Sequence, residues 1–174
     1  LVTPTQVRFE LRKGVKFHDG SNFTADDVVF SFGRIKQPQG TMSIYVTGIN
    51  EVKKIDDHTV EMTLATPSPM LLRNLIDCRM MSKAWAEKNN VAKPQDYNAK
   101  QETFAVRNAN GTGPFMLVRY EADVRTTLKA NPQWWGKGTP FGGGNLDEVL
   151  YQVIQSDATR LAALIDYDRP TMTG

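Results

Sequence analysis

The chain has 174 residues, 40% hydrophobic and 23% charged, with a formal charge of +2. That is enough apolar material for one globular domain, or one domain and part of another, and the charge is too evenly balanced for a nucleic-acid surface. No apolar run exceeds about five residues, as in "LAALI", which is too short to cross a bilayer; a single cysteine, Cys78, excludes an internal disulfide and every multi-cysteine metal motif.

Residues 5–13, "TQVRFELRK", put Val7, Phe9 and Leu11 on one face and charged residues on the other, the alternation of a half-buried strand. Gly14 breaks it, and "VKF" runs on to a turn at Asp19-Gly20, where glycine is free to take positive φ. The next segment predicts a helix, since Val28, Phe32 and Ile35 recur at helical spacing after Thr24. Thr24 is its N-cap. Asp26 and Asp27 fall in the first turn, Asp27 at the acid position of a capping box, and Arg34 closes the other end.

After Pro38-Gln39-Gly40, "TMSIYVTGIN" reads as a loop or short helix. "VKKIDDHTVEMTLA" predicts a hairpin turning at Asp56-Asp57-His58. Ser68 and Pro69 start a helix through Leu72 and Leu75, and Ser82 starts a second short one. Residues 89–110 are polar and read as a surface loop and domain boundary. Beyond them "GTGPFMLVRY" and "TTLKANPQWWG" predict two neighbouring strands, "LDEVLYQVI" a third, and Ser156 caps the helix "DATRLAALI".

Chemistry-bearing residues are few. The two histidines, His18 and His58, each stand beside an aspartate in a predicted turn, without the spacing of a zinc site, and no Gly-x-Ser-x-Gly elbow occurs. Both histidines read as solvated turn residues, and Asp26 and Asp27 as helix caps. The alternative is a metal-assisted hydrolase built on His18, Asp19 and His58, which requires the two histidines to approach within ligand distance. "GKGTPFGGGN" lacks the Gly-Lys-Ser/Thr ending of a phosphate loop and reads as a flexible connection. Trp134 and Trp135, on an extended chain, point to opposite faces, one into the core. Cys78 reads as a small buried hydrophobe. Tyr45 carries an aromatic ring and a polar tip on a loop, a shape that suits a ligand cavity as well as a structural role.

Five stretches in order carry a resemblance to a known family. "FELRKGVKFHDGSNFTADDVVFSFGRI", "IDDHTVEMTLATPSP", "GTGPFMLVRY", "NPQWWG" and "LDEVLYQVIQSDATRLAAL" resemble the extracytoplasmic solute-binding proteins of peptide and nickel ABC importers, solute-binding family 5. The resemblance implies an α+β fold, a mixed sheet with flanking helices forming part of lobe I of a two-lobed periplasmic-binding-protein fold. It assigns residues 1–108 to an accessory subdomain of that lobe and 109–174 to an incomplete returning part of its core sheet.

The resemblance implies an internal piece of a longer protein, without the second lobe, that captures a small solute, foremost a di- or oligopeptide, outside the membrane for an ABC permease. It implies no catalysis, cofactor or metal, and leaves a docking module without a small ligand as another alternative. Its site residues are Tyr45, at a distance past Arg34 similar to that of a cavity tyrosine in oligopeptide-binding members, and the neighbouring Met42. It makes the "FHDG" signature scaffold rather than catalyst. The end departs from the family pattern, with Tyr167 where a glycine is expected.

Overall fold

A computed structural model describes residues 2–99, 102–140, 142 and 145–167. The first alternating segment forms β1 (Gln6–Glu10), the predicted hairpin forms β2 (Ile49–Asp56) and β3 (Thr59–Leu64), and the three pair antiparallel in the order β1-β3-β2. Val7 stands opposite Met62 and Phe9 opposite Val60, so the apolar positions of both strands share one face. Across that face lies α1 (Ala25–Ile35), burying Ala25, Val28, Phe32 and Ile35. With Val46, Ile49, Leu64, Leu71 and Cys78 these residues make one hydrophobic core.

The capping box of α1 is present, with the Asp27 carboxylate accepting from the Thr24 N–H at 2.9 Å. The hairpin reinforces this helix end, because the Asp57 carbonyl accepts from the Ala25 N–H at 2.9 Å. The segment after α1 makes one 3-10 turn, Ser43–Val46, anchored by buried Val46. The next helix, α2 (Leu71–Leu75), starts later than Ser68-Pro69 implies, because Ser68 and Pro69 are used in a preceding turn whose Ser68 carbonyl accepts from Leu71 N. Ser82 caps α3 (Lys83–Lys88) as expected, its hydroxyl accepting from Trp85 N at 3.2 Å.

The polar stretch 89–110 is not simply surface loop. Val91 and Asn110 are buried at its two ends, and it contains a 3-10 turn at Tyr97–Ala99 and a short α4 (Phe104–Arg107). Asn90, at φ +57°, makes the left-handed turn after α3 that brings Val91 back under the helix.

The second half forms a separate antiparallel sheet, β4 (Phe115–Glu121), β5 (Arg125–Ala130) and β6 (Glu148–Gln152), in the order β4-β5-β6, followed by α5 (Asp157–Tyr167). The α+β class holds, with the strands shared between two three-stranded sheets. Burial is unequal between them. Among the described residues every buried hydrophobic side chain lies at or before Val91, whereas Leu150, Tyr151, Leu161, Leu164 and Ile165 are exposed. The departure at Tyr167 and residues 168–174 falls at the edge of, or outside, the described residues.

Candidate functional site

The His18-Asp19 turn sits at the tip of a tight excursion in which Phe17 N bonds Ser21 O, Gly20 N bonds Phe17 O, and Gly20 takes φ +86°. Phe17 is buried and packs edge-on against Phe23, centroids 5.9 Å apart, which fixes where the tip points. It points at the segment leading into β4. His18 N donates to Gly111 O at 2.9 Å, and Gly111 N donates to His18 Nδ1 at 3.2 Å. With Nδ1 accepting, the ring hydrogen resides on Nε2, which donates to Gly113 O at 3.1 Å.

Asp19 continues the clasp. Its N–H donates to Asn110 Oδ1 at 3.1 Å, and Asn110 Nδ2 donates to Asp19 Oδ2 at 2.8 Å. Its other oxygen accepts from Ser21 N and Ser21 Oγ, at 2.9 and 2.6 Å. Burial pushes the Asp19 carboxyl up, but the hydrogen bonds from Ser21 and Asn110 together outweigh it and hold the group below its ordinary value. Neither histidine is the solvated turn residue that the sequence suggested. His18 is half-buried with both ring nitrogens engaged; His58 is half-buried in the β2–β3 turn, its Nδ1 enclosed without a partner and its carbonyl accepting from Leu11 N.

The arrangement required by a metal-assisted hydrolase is therefore not formed. A ligating or proton-abstracting histidine needs a free ring nitrogen, and His18 has none. Among the described residues no group of three or more His, Cys, Asp and Glu gathers where it could hold a metal ion. Cys78 is buried, its thiol pushed up chiefly by desolvation, which suppresses the thiolate a nucleophile needs.

The carboxylates of α1 have wider roles than capping alone. Asp27 is buried, and its second oxygen accepts from Lys83 N at 2.8 Å, so one side chain joins the N-termini of α1 and α3. Ser31, also buried, donates to Asp27 O at 2.6 Å and accepts from Met81 N at 2.8 Å. Asp26 is exposed and shares Lys54 with Asp57, at 2.6 and 2.7 Å from Nζ; the hydrogen bond to Asp26 and then that to Asp57 raise the lysine above its ordinary value.

Met42 stands just before the 3-10 turn and Tyr45 on it, 42% and 38% exposed, with Tyr45 N bonded to Met42 O. Met42 lines a cavity of about 140 Å³ with Arg34, Ile35, Pro94 and Tyr97. Tyr45 is outside that lining and offers its ring at the surface.

Trp134 and Trp135 do not alternate, because the chain there is a series of turns rather than a strand. Both are half-buried, with rings 5.4 Å apart, and Arg12 lies 4.3 Å over the Trp135 ring, a second link between the halves of the chain. Trp134 borders a cavity of about 580 Å³ with Lys129, Asn131 and Lys137. Part of the glycine-rich loop beside it, residues 141, 143 and 144, lies outside the described residues.

Residues that sequence reasoning missed are Asn110, Gly111 and Gly113, the acceptors and donors that His18 and Asp19 grip. They stand 91 residues or more along the chain from their partners, so no local pattern connects them. The available signal was the polarity of "HDG" and "NANGTG", each carrying more hydrogen-bonding groups than its own turn consumes.

Residues 3–168 match the family model for bacterial extracellular solute-binding proteins, family 5, middle region. Among curated proteins, the dipeptide-binding protein of Escherichia coli K12 is 34% identical over 90% of this chain and 31% of its own length. Heme-binding protein A of Haemophilus influenzae is 33% identical over 90% of the chain and 30% of its own length. Among solved structures, the oligopeptide-binding protein AppA of Bacillus subtilis, in complex with a nonapeptide, superposes with a TM-score of 0.78 at 26% identity, covering 97% of this chain and 32% of that one. The chain thus spans about a third of the length of the relatives it matches, and its fold is that of part of a two-lobed periplasmic binding protein. With nearly its whole length inside the family model, the chain belongs to the bacterial extracellular solute-binding proteins, family 5.

Proposed function

We propose that this chain is part of lobe I of an extracytoplasmic binding protein that captures a di- or oligopeptide and delivers it to an ABC permease in the membrane. In this reading the chain binds its solute and does not transform it. The observation that carries it is the family match over residues 3–168, joined to 34% identity with a dipeptide-binding protein. No helix among the described residues is long and apolar enough to cross a membrane, consistent with a receptor that meets its permease at the membrane surface.

Residues 1–108 are in this reading an accessory subdomain with its own core, and 109–174 a portion of the lobe's main sheet. Support comes from the burial pattern, since among the described residues the hydrophobic core and the side chains packed against it lie at or before Met80. Tyr45 and Met42 are the proposed contacts to solute, their side chains presented outward from a turn that Val46 anchors. Affinity in such a fold comes from closing two lobes over the ligand and excluding water.

The test is calorimetric titration of a full-length protein carrying this sequence with free di- and tetrapeptides, and separately with haem. Peptide binding at about micromolar affinity or tighter, weakened roughly tenfold or more in Tyr45→Ala, is expected. Haem binding with no response to peptides would overturn the peptide reading, and full peptide affinity in Tyr45→Ala would remove the residue from the site.

A further inference from the structure

We propose that Arg34 and Arg79 form a binding site for a small oxyanion, of the phosphate or carboxylate class, in the cavity between α1, α3 and the segment entering β4. The cavity measures about 260 Å³ and is lined by Arg34, Arg79, Met81, Trp85, Asn108 and Asn110 among others, with no aspartate or glutamate among the described residues of its lining. That volume is below the roughly 300–1,000 Å³ of pockets for drug-sized ligands, and it suits an ion or a single carboxylate group.

Of the described arginines, Arg12, Arg34, Arg73 and Arg79 stand outside the ion pairs, and two of these four line this cavity. Arg8, Arg107, Arg119, Arg125 and Arg160 each pair with a carboxylate. Arg34 and Arg79 do not figure among those ion pairs. Arg34 donates from Nε to Val91 O and from Nη2 to Lys93 O, each at 3.3 Å, and Arg79 donates from Nη1 to Ile76 O at 2.9 Å. Carbonyl oxygens orient a guanidinium without neutralising it, and each arginine carries five N–H donors. Both arginines line one cavity, and an oxyanion bound there would take their unused donors in charge-assisted bonds. Desolvation holds Arg34 below the ordinary arginine value, against an opposing interaction with Tyr97.

The site has a defined construction. Arg34 is positioned by the last turn of α1 and by the two carbonyls after α3, while Asn110 and Gly111 on the opposite wall are fixed by the His18-Asp19 clasp. It shares Arg34 and Ile35 with the wall of the Met42 cavity, whereas Arg79 lines this cavity and not that one, and it does not depend on which solute the whole protein carries.

The 174-residue chain is titrated calorimetrically with sodium phosphate and, separately, with sodium acetate, at ionic strength held constant with chloride. The expected result is saturable binding at one site, weakened about tenfold or more in Arg79→Gln and in Arg34→Gln. Arg79 is exposed and bonds only within its own turn, so Arg79→Gln keeps the test decisive even if Arg34→Gln disturbs the fold. Saturation by phosphate alone or acetate alone identifies the class bound; saturation by both identifies a general oxyanion site. Lack of saturation by either, or unchanged affinity in Arg79→Gln, overturns the proposal.

Discussion

Replacing Asn110 by alanine removes both of the bonds that its side chain makes to Asp19. One is a neutral acceptance from Asp19 N at 3.1 Å, and the other a donation to the Asp19 carboxylate at 2.8 Å. A neutral bond contributes about 1 kcal/mol net and one to a charged group about 1.5–3 kcal/mol. Asn110 is buried but Asp19 is exposed, so water recovers part of the loss on the aspartate side. The expected destabilisation of Asn110→Ala is therefore about 1.5–3 kcal/mol, a fall in Tm of roughly 3–12 °C for a chain of this size. Thermal and urea unfolding followed by circular dichroism measure it. Because the two residues touch, Asn110→Ala and Asp19→Ala should couple by about 1 kcal/mol or more in a double-mutant cycle. A cost of Asn110→Ala within about 0.5 kcal/mol of zero, or additive single and double variants, would refute the clasp as a source of stability.

Asp27→Asn leaves one of the N–H groups of Thr24 and Lys83 facing an amide NH2, and buried unsatisfied donors cost about 1–3 kcal/mol; urea denaturation should register the loss. Gly136→Ala would place a Cβ 2.6 Å from the Trp134 ring, which is rigid, so overpacking of about 1–3 kcal/mol and a shift in tryptophan emission are expected. The carboxyls of Asp19, Asp56, Asp57 and Glu121 are all held below their ordinary values in the folded chain. Their contribution is present above the unfolded carboxylate range, about pH 4, and is lost as pH falls through the folded values. An acid titration of stability should thus decline below about pH 4, less steeply in Asn110→Ala. Native-state hydrogen exchange should find the amides of β3 protected by a larger opening free energy than those of β5; equal protection would contradict the unequal burial of the two sheets.

Elements whose signal is local were legible in the sequence. The alternation of Val60, Met62 and Leu64 gave β3, and Thr24 with Asp27 marked the start of α1, because side-chain period and cap chemistry act within a few residues. The Trp134-Trp135 pair misled because alternation presupposes an extended chain, and turns replace the strand there. His18 and Asp19 were placed correctly in a turn, but their partners could not be read. A contact spanning 91 residues or more leaves no spacing rule in one sequence. Met42 rested on resemblance, and Tyr45 on resemblance joined to its aromatic ring and polar tip on a loop; the geometry leaves both side chains partly exposed.

The signature motif takes its physical meaning from the junction between the two sheets. The first sheet carries a closed core, whereas the second has no buried hydrophobic side chain among the described residues. The links seen between the two halves are specific side-chain contacts: the Arg12 guanidinium over the Trp135 ring and the hydrogen bonds of the His18-Asp19 turn. The segment that crosses between them, residues 110–113, is irregular backbone, and irregular backbone presents N–H and C=O groups with no ladder to satisfy them. A histidine in its Nε2–H form accepts at one ring nitrogen and donates at the other, while aspartate and asparagine supply paired acceptors and donors at short reach. These are the groups found at the junction: His18 on Gly111 and Gly113, Asp19 on Asn110. The same side chains that would suit acid–base chemistry in a free cleft suit a joint here, and what separates the two uses is whether a ring nitrogen or carboxylate oxygen remains unengaged. At His18 none does.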